Sequence, residues 1–179
     1  MSDDMFIDAL LGIKPSRHYP LTSRPISRID RNGRRRPAIT GAAASGNLLA
    51  VATVEMVETT LRLRPAGTGI HELAGREQCD TLSFSHNLTR HLSSARVRHL
   101  VLRLAPETGD YSAKGAVYRF EAMLHLTPGL TVEAVHTQKI GAWRRRANIA
   151  LPEPEVEGAR YIGVQRRAIE AAVFGLLSE

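Results

Sequence analysis

The chain has 179 residues, 43% hydrophobic and 23% charged, an ordinary balance for a soluble globular protein with one sizeable core. No apolar run approaches the roughly 18 residues that a membrane-crossing helix needs, and the lone cysteine, Cys79, excludes an internal disulfide and does not by itself imply a structural zinc site. A formal net charge of +6 and a sequence pI of about 10.1 point to an anionic partner, with nucleic acid the first to consider.

The opening MSDDMFIDALLG is acidic where a secretory leader is basic, and no small-residue cleavage site follows it. With a single cysteine, this gives the expectation of a reducing, cytoplasmic setting and no membrane partner. Residues 1–37 hold eight Lys or Arg against four Asp, so they carry most of the positive surplus. Prolines at 15, 20, 25 and 37 break any long element there, and Asn32-Gly33 turns the chain beside Arg34, Arg35 and Arg36. The reading is a basic arm over 1–37 and one domain over 38–179.

Within that domain AITGAAA (38–44) is expected as a strand of small residues, with a tight turn at Ser45-Gly46-Asn47. LLAVATVEM (48–56) is a strand rich in branched side chains, and TTLRLRP (59–65) alternates as a strand with one wet face does. Phe84, Leu88, Leu92 and Ala95 then recur at helical spacing over 76–95. A strand follows over 98–104, and Val117, Phe120 and Leu124 mark the next helix. TVEAVH (131–136) is a short strand, 147–157 a proline-containing loop, and 160–177 a last helix with Ile162, Ile169, Val173 and Leu176 on one stripe. Three hairpin strands, then helices alternating with two more strands, predict an α/β fold with a partly parallel mixed sheet flanked by helices. Neither glycine pattern of a dinucleotide- or nucleotide-binding loop follows a strand.

This order resembles the ribonuclease H-like fold shared by RuvC-type Holliday-junction resolvases and many nucleases. The stretch PETGDYSAKGAVYRFEAML, with His136, Thr137, Gln138 and Lys139 further on, is similar to a family of small bacterial proteins of that fold. The resemblance covers roughly residues 38–178. It implies a test, because nucleases of this fold place an aspartate in the first strand, an acidic residue beyond the fourth, and more on a late helix. Such carboxylates hold divalent ions that activate water and stabilise the leaving oxygen. Here the first strand offers Gly41, Thr40 or Ala42, none of them a carboxylate. Glu107 and Asp110 follow the 98–104 strand, Glu157 stands just ahead of the last helix and Glu170 inside it, and Glu55 ends the second strand.

Glu107, Asp110 and Glu55 are therefore the catalytic candidates. Each also has a plain structural use, in shaping a turn for the first two and in pairing with an arginine for Glu55. Glu121 is expected half-buried against an arginine. No histidine set has metal-ligand spacing, and Cys79 lacks a histidine partner for nucleophilic chemistry. The basic groups make the stronger case: Arg34, Arg35 and Arg36; Lys114; Lys139 with Trp143, Arg144, Arg145 and Arg146; and Arg166 with Arg167. Arginines there would contact phosphates while Trp143 stacks on a base, the alternative being a solvated basic loop with Trp143 as core anchor. The expected function is a nucleic-acid-binding or nucleic-acid-associated protein without a working metal site and without a cofactor. The alternatives are a nuclease dependent on Mg or Mn and a protein-interaction homodimer.

Overall fold

The structure, a computed structural model, describes residues 38–75, 77–105 and 115–178. In chain order they form β1 (Ala38–Ser45), β2 (Leu48–Val57), β3 (Thr60–Leu63), β4 (Gly69–Glu72), α1 (Gln78–Ser94), β5 (His99–Leu104), α2 (Gly115–Leu126), β6 (Thr131–His136), α3 (Thr137–Ala147) and α4 (Ala159–Leu177). The sheet runs β3-β2-β1-β5-β6, with β4 also on β2. β1 pairs antiparallel with β2 and parallel with β5, and β5 pairs parallel with β6. This is the expected mixed sheet. No helix among the described residues is long and apolar enough to cross a membrane.

The sheet has one strand more than the three-strand hairpin reading gave. β3 and β4 lie end to end along the same edge of β2, joined by a 3-10 turn at Pro65–Gly67. Where β2 passes from one to the other, Thr53 keeps its backbone satisfied. Its carbonyl accepts from the Arg64 amide at 2.8 Å, and its amide donates to Thr68 Oγ1 at 3.2 Å. Its hydroxyl bonds the Gly67 carbonyl and Thr40 Oγ1 beneath it. Residues 69–72 escaped notice because GIHE has neither the length nor the branched side chains of a strand signal.

Alternation along the strands sorts the core into two faces. Ala42, Leu49, Val51, Leu100 and Leu102 pack against Phe84, Leu88 and Leu92 of α1 and Phe120 and Leu124 of α2. The helical stripes read from the sequence are thus the buried ones. On the other face Ala43, Leu48, Ala50, Ala52 and Val54 meet Val164, Ala168, Ile169, Ala172 and Val173 of α4. Ile39, Val101 and Val135 continue that face against Ile140 of α3 and Ala171 and Phe174 of α4. Ile162 and Leu176, expected in the buried stripe of the last helix, are only half-buried. Alanines hold the centre instead.

Those small residues allow a close approach. A Cβ on Gly41 would stand 2.1 Å from the Ala168 carbonyl oxygen and 2.3 Å from the Ala172 amide nitrogen, both backbone atoms of α4. One on Gly175 would meet Val101 Cγ2 at 2.4 Å. The loop before α4 is pinned by buried Gln165, whose Oε1 accepts from the Glu155 amide at 3.0 Å.

The solvated basic loop offered as the alternative for the Trp143–Arg146 run does not hold, because residues 137–147, which the sequence reading assigned to no element, form the helix α3. Ile140 is buried and Trp143 half-buried on its inner side, and Asn148 ends it in the left-handed conformation at φ 40°. With two apolar anchors in so basic a run, the period was too weak to read.

Because backbone cannot swing aside as a side chain can, Gly41→Ala is expected to cost about 3 kcal/mol. Gly115→Ala, whose Cβ meets nothing within 4 Å, is expected to stay within about 0.5 kcal/mol of wild type in the same urea-unfolding comparison.

Candidate nucleic-acid interface

The parallel strands β1, β5 and β6 finish at one end of the sheet, beside the start of α3. There Arg103, near the end of β5, turns toward α4 and donates through Nη1 to Glu170 Oε2. Its Nε donates to Thr137 Oγ1 at 3.3 Å, and that hydroxyl donates to the Leu104 carbonyl at 2.6 Å. Three elements are thereby joined at one guanidinium. The two charged side chains are 14% and 22% exposed, so water screens the pair only in part. Arg167 belongs to the same cluster. Burial chiefly, and then the charge of Arg103, lower its pKa from the usual arginine value, while Glu170 opposes them. Glu170 is thus the hydrogen-bonded partner of Arg103, with the Arg167 charge close by.

Strand register shows what stands beside them. Ala43 pairs with Arg103 and Gly41 with Val101. Neither β1 residue has a polar side chain, and at Gly41 the α4 backbone occupies the space that one would need. Glu55 pairs with Ala38 and with Arg62 of β3. It is five register steps from Ala43, roughly 17 Å toward the opposite end of β1, so the fold does not bring it to this cluster. Glu121 is half-buried on α2, as expected, and Glu157 is exposed ahead of α4. Glu107, Asp110, Lys114, Arg34, Arg35 and Arg36 lie outside the described residues.

A divalent ion needs several hard oxygen ligands converging on one point. Among the described residues no group of three or more His, Cys, Asp or Glu side chains could hold one. The carboxylate at the strand ends, Glu170, is already engaged by Arg103. The described donor set does not fit a metal ion.

The other candidates gather on α3 and α4. Lys139, Trp143 and Arg146 fall on one side of α3, at positions i, i+4 and i+7. Trp143 packs edge-on against Phe174 of α4, with ring centroids 5.6 Å apart and planes at 87°. Lys139 Nζ lies 5.6 Å from the centre of the Phe174 ring, within cation–π range. Together with Ala147 and Ser178 these residues line an open depression of about 410 Å³. Trp143 therefore anchors the core on one side and faces an accessible hollow on the other. Arg145 is exposed and Arg144 half-buried next to it. Arg166 reaches Glu153 at 3.5 Å, and Arg167 Nε donates to the Gly163 carbonyl at 3.1 Å.

Two features had no counterpart in the sequence reading. Arg103 was not singled out in the 98–104 strand, although a cation inside the run HLVLRL calls for a partner. His71 of β4 and His91 of α1 are far apart in sequence, yet His71 Nε2 lies 2.8 Å from His91 Nδ1. Phe84 meets the His71 ring edge-on. Burial, and then the nearness of His91, push the His71 pKa down to about 4. His91 is lowered too, by burial, against a raising bond to the Ala66 carbonyl.

No family model matches the chain, and no curated protein does. Among solved structures it is similar to RuvC of Thermus thermophilus, with a TM-score of 0.56 at 10% identity over 76% of this chain and 94% of that one. It is also similar to T. thermophilus RuvC in complex with a Holliday junction substrate, with a TM-score of 0.55 at 11% identity over 80% of this chain and 97% of the other. At such identities the likeness speaks for the architecture. The chain has the ribonuclease H-like fold, with a distant likeness to RuvC.

Two predictions follow from these contacts. Arg103→Ala, which leaves Glu170 without its partner, is expected to cost about 2 kcal/mol in urea unfolding, and Arg103→Met combined with Glu170→Leu to recover most of it. A neutral Arg103→Ala would show that the pair does not help hold α4. The histidine pair predicts acid sensitivity. With folded-state pKa values below the unfolded 6.5, the unfolded chain takes up protons first as pH falls. The stabilisation is complete above pH 6.5 and is lost between 6.5 and about 4, with a slope of up to about 1.4 kcal/mol per pH unit per proton. Thermal melts of wild type and His71→Phe across that range should diverge at neutral pH and converge as it falls.

Proposed function

We propose that this ribonuclease H-like domain binds nucleic acid through the basic surface of α3 and α4 and does not cleave it. The observation that carries the reading is the pair formed by Arg103 and Glu170 at the ends of the parallel strands. By the resemblance, nucleases of this fold gather carboxylates at that end to hold divalent cations. In this chain a guanidinium supplies the fixed positive charge, Ala43 stands next to it in register, and Gly41 leaves no room for a side chain. That guanidinium is taken up by Glu170 and offers no exchangeable coordination position from which to deliver water, while the exposed cations of α3 are left to meet phosphate. The site then supports binding without hydrolysis.

The likeness to a RuvC solved with a Holliday junction substrate supports the choice of nucleic acid as partner, and the surplus of basic residues agrees with it. In the same reading Arg34, Arg35, Arg36 and Lys114 are further phosphate contacts, and two copies of the chain would offer each of them twice.

The test is a titration against fluorescent single-stranded, duplex and four-way-junction DNA and RNA at two salt concentrations, with and without manganese. Binding is expected to weaken steeply with salt, and Arg145→Ala with Arg146→Ala to reduce the salt slope by up to about 2. The substrate is expected to stay intact. Manganese-dependent cleavage, abolished by Glu107→Gln or Asp110→Asn, would overturn the reading in favour of a nuclease. A salt-indifferent dimer with no affinity for any of the probes would leave the interaction-protein alternative.

A further inference from the structure

We infer that the hollow between α3 and the end of α4 holds one unpaired nucleotide, its base against Trp143 and its flanking phosphates on Lys139 and Arg146. This rests on the nucleic-acid reading above and adds what that reading leaves open, namely which form of nucleic acid is held and where.

Of the cations around these two helices, Arg103 of β5 and Arg160 and Arg166 of α4 each face a carboxylate, on Glu170, Glu72 and Glu153 respectively. Among the described residues Lys139 and Arg146 form no ion pair, and no carboxylate lines the hollow they share. What Lys139 does face is the Phe174 ring, while Arg146 Nε returns to the Ala142 carbonyl of its own helix. Two exposed cations on either side of an indole, with no acid facing them among the described residues, form a surface complementary to a short anionic segment carrying a ring. A core-anchor role accounts for the edge-on packing of Trp143 on Phe174. It does not account for the cations placed around the open side.

Shape selects the kind of nucleic acid. The indole lies in a depression of about 410 Å³, within the ordinary range for a small-ligand site. A base inside a duplex is stacked on its neighbours and paired at its edge, so it cannot enter such a hollow. A base in a single strand, a loop or a branch point can leave the stack and lie on an aromatic ring. Stacking reads no sequence, since every base has a π-face, and neither cation distinguishes ribose from deoxyribose. The inferred ligand is an unpaired nucleotide in DNA or RNA, held without base preference.

Trp143 is the chain's single tryptophan, so emission excited selectively at tryptophan, beyond the absorption of the four tyrosines, reports on this hollow. The experiment titrates the full chain with single-stranded oligothymidylate and with a blunt duplex of equal length, following anisotropy of the labelled nucleic acid and tryptophan emission together. The inference predicts that the single strand quenches Trp143 in step with the anisotropy and that the duplex does not. It also predicts that Lys139→Ala with Arg146→Ala weakens single-strand binding about tenfold at unchanged melting temperature. Binding seen by anisotropy with tryptophan emission unmoved, or equal quenching by the duplex, would overturn the hollow as the site and leave nucleic-acid binding standing. Absence of binding to every probe would overturn both.

Discussion

Helix α4 lies so near β1 that a Cβ at residue 41 would sit 2.1 Å from its backbone. Much else follows from that approach. It requires glycine or alanine along the sheet-facing side of both elements, which is why Gly41, Ala43, Ala168, Ala171, Ala172 and Gly175 meet there. Large side chains can then fill only the flanks, where Leu48, Val54, Ile169 and Phe174 do so. The gain is dense packing across the middle of the sheet. The consequence is that the first strand cannot carry a side chain toward α4 at Gly41, and a carboxylate least of all.

Electrostatics at the strand ends are built on the same contact. Because α4 is held close, Glu170 reaches Arg103 across the sheet surface, and Thr137 closes the arrangement from the start of α3. The pair links a strand to two helices and uses the acidic group of the last helix for structure. Arg167, partly desolvated beside Arg103, leaves the cluster positively charged. A region that ribonuclease H-like nucleases use to attract metal ions has become, in the reading advanced here, one that attracts phosphate directly. The open hollow farther along α3 and α4 then adds an aromatic surface to that basic one.

The architecture was legible because long periodic segments dominate it. The stripes of α1 and α2, the two β-strands with branched side chains and the alanine-rich first strand all point to their observed places. Short elements were not legible. GIHE forms a strand only because β2 has an unfilled edge beyond Thr53, a tertiary fact. In α3, cations outnumber the anchors that make it a helix, so no element was read there. The last helix misled in a different way, since alanines contribute little to an apolar stripe yet are the residues that a close packing surface selects. For the site, the absence of a first-strand carboxylate was plain from ITGAAA, whereas the steric reason for it needed the position of α4. Arg103 could have been suspected from a cation in a buried strand. The meeting of His71 with His91 depends on β4 and was out of reach.

The central claim is that the ends of the parallel strands carry a fixed guanidinium where the fold's nucleases carry metal ions. Its most direct test is calorimetric titration of the purified full chain with manganese and magnesium, alongside melting curves in millimolar metal. The account predicts no saturable heat and no metal-dependent rise in melting temperature. Stoichiometric manganese binding that disappears with Glu170→Gln would contradict it, because Glu170 would then be a ligand and not the partner of Arg103.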